Sequence, residues 1–334
     1  MILAVSSIPR DPRMDFKERL PDQVAKRLRI PIYYFRPVSL GFYYLDFALG
    51  ILYNLLRFRK RAAKAEAIIC FIPQLLPFVL LSRKPTIFVA VDDYEGSIYQ
   101  RKIKKLAFLA VKRLFVPKTH MVVCTTDYIR RRYRKVISES RLKLIRVGVD
   151  TSLFHPTAHP STDPFVLYYH GKLRKDYNTD FLVQVMKYLP EDTELWLVGD
   201  GPQRPLLEKM VRQGQLQHRV KFWGKKPYKE LPDLIKRANV CLNPIPVLGM
   251  KLYQYFASGK PVVSLCGQTN EIALNEVHYL CTARNPKAQA EAIMKLKTNP
   301  NLAEQLGKNA REQIMNQSWS VILNLYEEAV AHIQ

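Results

Sequence analysis

The sequence predicts an α/β protein built on two parallel sheets with helices on both faces of each. Three observations carry that expectation. Short β-branched and aromatic runs alternate with longer segments of helical period along the whole chain. With 334 residues, 48% of them apolar, the chain can fill two domains of about 150 residues each. A Pro-rich stretch without strand or helix period, Phe154-His155-Pro156-Thr157-Ala158-His159-Pro160-Ser161-Thr162-Asp163-Pro164, interrupts the pattern near its middle.

Strands are expected at 2–6, 30–35, 67–71, 86–91, 121–124 and 142–147 in the first half. In the second they are expected at 165–169, 194–198, 220–223, 240–243, 261–265 and 278–281. The domains are then residues 1–155 and 164–318, with the linker between them. A final helix, 319–334, follows. Its Val321, Ile322, Leu325, Tyr326 and Val330 have helical spacing, and it either caps one domain or crosses back to the first.

The formal charge of +23 is unevenly spread. Residues 1–155 hold 30 Lys+Arg against 12 Asp+Glu, a net +18, and the rest hold 22 against 17, a net +5. Clusters at Arg57 to Lys64, Arg101 to Lys105 and Arg130 to Lys135 fit docking on an anionic surface, although any one of them can be ordinary solvated surface. No aromatic-basic motif or helix-turn-helix pattern accompanies the charge, so specific nucleic-acid binding is not expected. The apolar stretch Val38 to Leu56 contains Asp46 and reads as a buried or surface-docked helix more readily than a spanning one.

The five cysteines are widely spaced, without a Cys-x-x-Cys pair, and the N-terminus lacks the pattern of a signal peptide. A cytoplasmic protein, peripherally bound at most to the inner face of a membrane, is expected. There is no Asp-x-Asp, and the seven histidines show no helical pairing, so no metal is expected. A nucleophile elbow, a Walker lysine loop and a strand-linked Gly-x-Gly-x-x-Gly are also absent, which removes the usual support for hydrolase, ATPase and dehydrogenase chemistry.

Three strand-end loops of the second half carry the candidate chemistry. Tyr169-His170-Gly171-Lys172-Leu173-Arg174-Lys175 ends a strand in glycine and brings three cations to one turn, as a diphosphate requires. Leu195 to Val198 runs into Gly199-Asp200-Gly201-Pro202 and then a helix; its glycines permit a tight backbone that a ligand can approach. Asn243 to Gly249 leads into a short helix, Met250 to Ser258, that Gly259 stops. That helix offers first-turn N–H groups at Met250, Lys251 and Leu252 to phosphate, and Gln254 one turn on to a ribose hydroxyl.

Together with Ile145-Arg146-Val147-Gly148-Val149-Asp150-Thr151-Ser152-Leu153-Phe154-His155-Pro156, these segments resemble, in order and spacing, GT-B glycosyltransferases of family 4. The resemblance runs from about Leu142 to Ser264 and continues to the C-terminus. It implies a GT-B fold, two Rossmann-like domains whose parallel sheets face across a cleft, the first binding acceptor and the second the nucleotide sugar. It implies a retaining, metal-independent, hexosyltransferase-type transfer from a UDP- or GDP-sugar to a glycan or lipid-linked glycan, with no other cofactor. By position, Lys172 is the diphosphate ligand and Gln254 takes the place of the ribose-binding Glu. The second phosphate-binding Lys would fall at Tyr177, so that role is vacant or taken by Arg174 or Lys175. The first acid of the Glu-x7-Glu pair is placed at Val247. Phe222-Trp223-Gly224 matches the segment beside the nucleobase, and Trp223 can equally be core. On the acceptor side the resemblance points to Asp92, which can take the acceptor proton or steady an oxocarbenium-like centre, with Asp93 and the Arg10 and Arg13 segment. Paired Asp residues there can also simply cap a helix. A nucleotide-sugar epimerase of the same plan, or an inactive binding protein that has lost its acids, stays open on sequence alone.

Overall fold

In a computed structural model of the chain, the structure describes residues 2–6, 20–34, 57–91, 102–156, 163–246, 249–267 and 272–333. The segment 38–56, Arg10, Arg13, Asp92, Asp93, Arg101 and Val247 lie outside them. The chain divides into a first unit, Met1–Gly148 with Trp319–Gln334, and a second, Val149–Ser318.

The first unit is built on β1 (Ile2–Ser6), β2 (Ile32–Tyr34), β3 (Ala67–Cys70), β4 (Thr86–Ala90), β5 (Met121–Cys124) and β6 (Leu142–Leu144), in the order β2-β1-β3-β4-β5-β6. All neighbours are parallel. Its central strands β3, β4 and β5 are buried at every position, as parallel strands covered on both faces must be. Alternate residues serve opposite cores: Ile68, Phe88 and Val122 on one face, Ile69, Ile87 and Val123 on the other. The second face is covered by the helices Leu20–Arg27 and Trp319–Ala331, the latter through Trp319, Ile322, Leu323 and Tyr326. The last helix therefore packs with the first unit.

The second unit holds β7 (Phe165–His170), β8 (Thr193–Val198), β9 (Val220–Gly224), β10 (Val240–Asn243), β11 (Val262–Leu265) and β12 (Leu280–Thr282), in the order β12-β11-β10-β7-β8-β9 and again parallel. Both units are thus Rossmann-like, each with a six-stranded parallel sheet. The expected strand at 142–147 stops at Leu144: Ile145 N–H still reaches the Cys124 carbonyl (3.0 Å), and then the chain leaves the sheet.

The chain passes between the units earlier than the Pro-rich segment. Val149 N–H donates to the Gln317 carbonyl at 2.9 Å, and Phe154 is fully buried in the second unit against Tyr228, ring centroids 5.2 Å apart. The stretch before the prolines, placed in the first domain on sequence, is held by this aromatic packing in the second. Parallel pairing of β11 with β12 sets Leu265 against Thr282, and Cys266, just past the end of β11, forms a disulfide with Cys281, within β12, their Cα atoms 5.0 Å apart. Cys70, Cys124 and Cys241 are free and buried. Among the described residues no helix is long and apolar enough to cross a membrane. The Arg130 to Lys135 cluster is partly compensated, since Arg130 and Arg134 both pair with Glu139.

Gly148, where the chain leaves the first unit, lies against Trp319, where it returns: a Cβ at 148 would stand 2.5 Å from the indole. Gly148→Ala should therefore cost about 2 kcal/mol of stability through overpacking. Urea unfolding should show the loss, and adding Trp319→Leu should recover part of it; full parental stability in Gly148→Ala would refute the tight contact.

Candidate functional site

The second sheet grows in opposite directions from the neighbouring strands β7 and β10: β8 and β9 follow on one side, β11 and β12 on the other. Open α/β sheets bind ligands outside the carboxyl ends of strands at such a switch point. The loops leaving those two ends are the Gly171 turn and the Pro244 to Gly249 segment, which leads into the helix Met250–Ala257.

The turn after β7 is stitched to the turn after β8. Gly171 N–H donates to the Val198 carbonyl (2.9 Å), Leu173 N–H to that of Asp200 (3.0 Å), and Gln203 N–H to that of Leu173 (2.9 Å). A Cβ on Gly199 would fall 1.9 Å from the Gly171 carbonyl oxygen, and one on Gly201 2.4 Å from that of Leu173. These two glycines are thus required by the neighbouring turn. Gly171 has φ +147°, and the Tyr169 hydroxyl arches over it to donate to the Lys172 carbonyl (3.1 Å). Lys172 and Lys175 are exposed at this turn. Arg174 is also exposed, but its guanidinium holds both oxygens of Asp176, at 2.9 and 2.8 Å.

The helix Met250–Ala257 begins at Gly249, which is extended and supplies no side-chain cap. Among the described residues nothing lies within 4 Å of a Cβ placed at Gly249. Met250 is half-buried. Leu252 is a core residue whose N–H donates to the Gly249 carbonyl (3.0 Å), so it packs the helix and does not reach outward. Counted back from Gln254 with seven residues between, the first of the paired acids falls on Pro246, not on Val247. Pro246 is packed against Gly267, where a Cβ would lie 2.3 Å away. Trp223 packs on Trp196, ring centroids 4.9 Å apart, and its indole N–H is buried without a partner among the described residues.

Two features escaped the sequence. His170, the last residue of β7, is buried, and its Nε2 lies 2.8 Å from Gln254 Oε1. Burial first, then the nearby Lys251, push its pKa down to about 3, so the imidazole is neutral, Nε2–H donates to the amide oxygen, and Nδ1 is left buried without a partner among the described residues. A polar residue at the end of an otherwise apolar strand was the signal available for it. The second is the placement of the side chain of Lys251, a residue the sequence offers for its N–H alone: it is only 8% exposed and has no hydrogen-bond partner for Nζ among the described residues. Its ammonium stands 4.4 Å from the ring centroid of Tyr169, 5.1 Å from that of Tyr177 and 3.7 Å from a Cβ placed on Gly171. Burial pushes its pKa down to about 7. Among the described residues no group of three or more His, Cys, Asp or Glu is placed to hold a metal ion.

Two parallel sheets, a glycine turn carrying cations and a helix start at a switch point define a doubly wound α/β class of protein. Residues 151–313 match the family model for glycosyl transferases group 1. The chain is 24% identical over 272 residues to the lipopolysaccharide core biosynthesis glycosyltransferase LpsE of Rhizobium meliloti, covering 76% of each. It is 29% identical over 156 residues to LpsD of the same organism, covering 46% of this chain and 45% of LpsD. Among solved structures, Anabaena HepE in complex with UDP and glucose superposes with a TM-score of 0.78 at 16% identity, and sucrose-phosphate synthase from Thermosynechococcus elongatus with 0.80 at 20%, each over 99% of both chains. Residues 151–313, nearly all of the second unit, are thus similar to group 1 glycosyltransferases, and the fold of the chain is GT-B.

A buried ammonium that meets no acceptor is a cost, and its pH dependence is specific. The folded pKa, about 7, lies below the ordinary 10.5, so between these values the unfolded chain binds more protons and stability rises with pH; below about 7 the penalty is complete. Lys251→Met should raise the melting temperature of the unliganded protein most below pH 7, with the gain shrinking as pH approaches 10. A pH-independent effect, or a loss of stability at pH 6, would contradict this assignment.

Proposed function

We propose that this glycosyltransferase moves a hexose from a UDP- or GDP-sugar to a hydroxyl of a glycan or lipid-linked glycan, with retention of configuration and without a metal. The observation that carries the reading is the meeting of the Gly171-Lys172 turn with the first turn of the helix Met250–Ala257 at the switch point, Lys251 Nζ lying 3.7 Å from the Gly171 Cβ position. HepE, of the same fold, is known with UDP and glucose, which supports a UDP-sugar as donor. LpsE and LpsD are named for lipopolysaccharide core biosynthesis, which supports a saccharide acceptor.

On this reading the diphosphate lies against Lys172, Gly171 and the N–H groups at Gly249, Met250 and Lys251, where a helix start favours anions. Lys175 adds charge at the rim. Gln254, its oxygen taken by His170, offers its amide N–H to a ribose hydroxyl. Trp223 lies beside the base. The bond from the sugar C1 to the β-phosphate oxygen breaks as the bond from C1 to the acceptor oxygen forms on the same face. The acceptor proton passes to the departing phosphate, and Lys172 stabilises the charge that develops there. Asp92 and Asp93, with Arg10 and Arg13, would serve the acceptor side.

Lys172→Ala should lower kcat by about 100-fold with the fold intact, as loss of one charge-stabilising group does. NMR of the product should show the donor's anomeric configuration, and chelator should leave the rate unchanged. An inverted product or an unaffected Lys172→Ala would reject the reading.

A membrane-proximal acceptor is supported by apolar side chains set among basic ones in the first unit. Leu81, Leu106 and Leu114 are 72%, 66% and 59% exposed, next to Arg83, Lys84 and Arg113. Liposome flotation should show binding to phosphatidylglycerol vesicles that weakens with salt; equal binding to neutral vesicles would discard the electrostatic part.

A further inference from the structure

We infer that the Lys251 ammonium is the second diphosphate-binding cation of the donor site, filling from the helix side the role that Tyr177 cannot. The inference rests on the donor-site reading above and names a ligand group within it. Its basis is the state of the side chain. Among the described residues of this unit two lysines are buried, and they differ in what they meet. Lys260 Nζ donates to the carbonyls of Lys236 (2.8 Å) and Ala238 (2.9 Å), and so is satisfied by the fold. Among the described residues Lys251 Nζ meets the faces of Tyr169 and Tyr177 and no hydrogen-bond acceptor. Ring faces attract a cation but leave its N–H groups without acceptors, and a buried charge in that state is expensive unless an anion joins it.

The ammonium also sits where an anion is expected. It is carried by the second residue of an eight-residue helix that starts at the switch point. It lies on the glycine side of the turn that presents Lys172, 3.7 Å from the Gly171 Cβ position. Of the other two cations near enough by sequence, Arg174 is already held by both oxygens of Asp176, and Lys175 is exposed at the rim of the turn. Tyr177, half-buried at 5.1 Å from Nζ to its ring centroid, thus supports the replacement charge in place of supplying one. A diphosphate would receive Lys172 from the turn, Lys251 from beneath it, and backbone N–H groups from the helix start.

The test compares UDP, UMP and uridine by calorimetry on the full chain. Lys251→Met and Lys251→Gln should each weaken UDP by about tenfold or more, one lost charge-assisted contact, while uridine is held as before. Tyr177→Lys added to Lys251→Met should restore the preference for UDP over UMP. Melting curves establish that the variants are folded, and two different neutral replacements guard against a single one misfolding. If both folded variants keep the parental UDP to UMP ratio, the inference is wrong and the donor site stands. If the unaltered protein binds neither nucleotide, the donor-site reading itself fails and this inference with it.

Discussion

The second unit depends on one close approach, the contact of the backbone turns after β7 and β8. With glycine at 199 and 201 the two chains can lie at a distance that any Cβ would forbid. The hydrogen bonds from Gly171, Leu173 and Gln203 then continue the parallel ladder beyond the strand ends. Loops at strand ends are usually the most mobile part of an α/β unit. Here the loop that presents Lys172 is held as a piece of the sheet, and the Tyr169 hydroxyl fixes its carbonyl from below. A cation on such a turn is positioned before any ligand arrives, which is what electrostatic stabilisation of a leaving group needs.

The other wall of the site is held with similar economy. The helix Met250–Ala257 is buried from Lys251 to its end, and helix 300–315 comes close enough to its C-terminal turn that a Cβ on Gly307 would lie 2.2 Å from the Gly259 carbonyl oxygen. Arg311 of that second helix donates to the Ala257 carbonyl at 2.5 Å, satisfying the C-terminal end of the site helix, and to the carbonyls of Phe154 and Thr151. One guanidinium thus fixes the site helix and the entering segment that the sequence assigned to the other domain. Leu252 and Tyr255 are spent on packing, which leaves Gly249, Met250, Lys251 and Gln254 as the parts of this helix open to another role.

Strand positions were legible because parallel strands covered on both faces are continuous apolar runs, and the helix stop at Gly259 was legible because that residue has φ +65°. Strand order was not legible from periodicity, and the switch point between β7 and β10 exists only through it. The same holds for Cys266 and Cys281, distant in sequence and joined by the register of β11 on β12. Glycines at 199 and 201 were recognised as necessary, but the partner they make room for is another turn of the chain. Lys251 was placed at the helix start for its N–H, and nothing in the spacing told that its side chain would be buried over two tyrosines. The boundary at Gly148 was missed because the aromatic packing of Phe154 outweighs the polar look of its neighbours.

The amide at 254 becomes intelligible once His170 and Lys251 are seen beside it. His170 is neutral and gives its one proton to Gln254, so the pair carries no charge. A carboxylate at 254 would accept the same hydrogen bond, but it would draw the imidazole toward protonation or stand as an anion near the Lys251 ammonium. Either outcome alters the field at the helix start, and the anionic one would offset the positive charge that the proposed diphosphate requires. Gln254 gives up the stronger bond a carboxylate makes to a hydroxyl and leaves Lys251 uncompensated. On the proposed reading the three positions are one substitution in effect: tyrosine where a lysine is expected, lysine on the helix above it, and an amide that keeps the new charge free for phosphate.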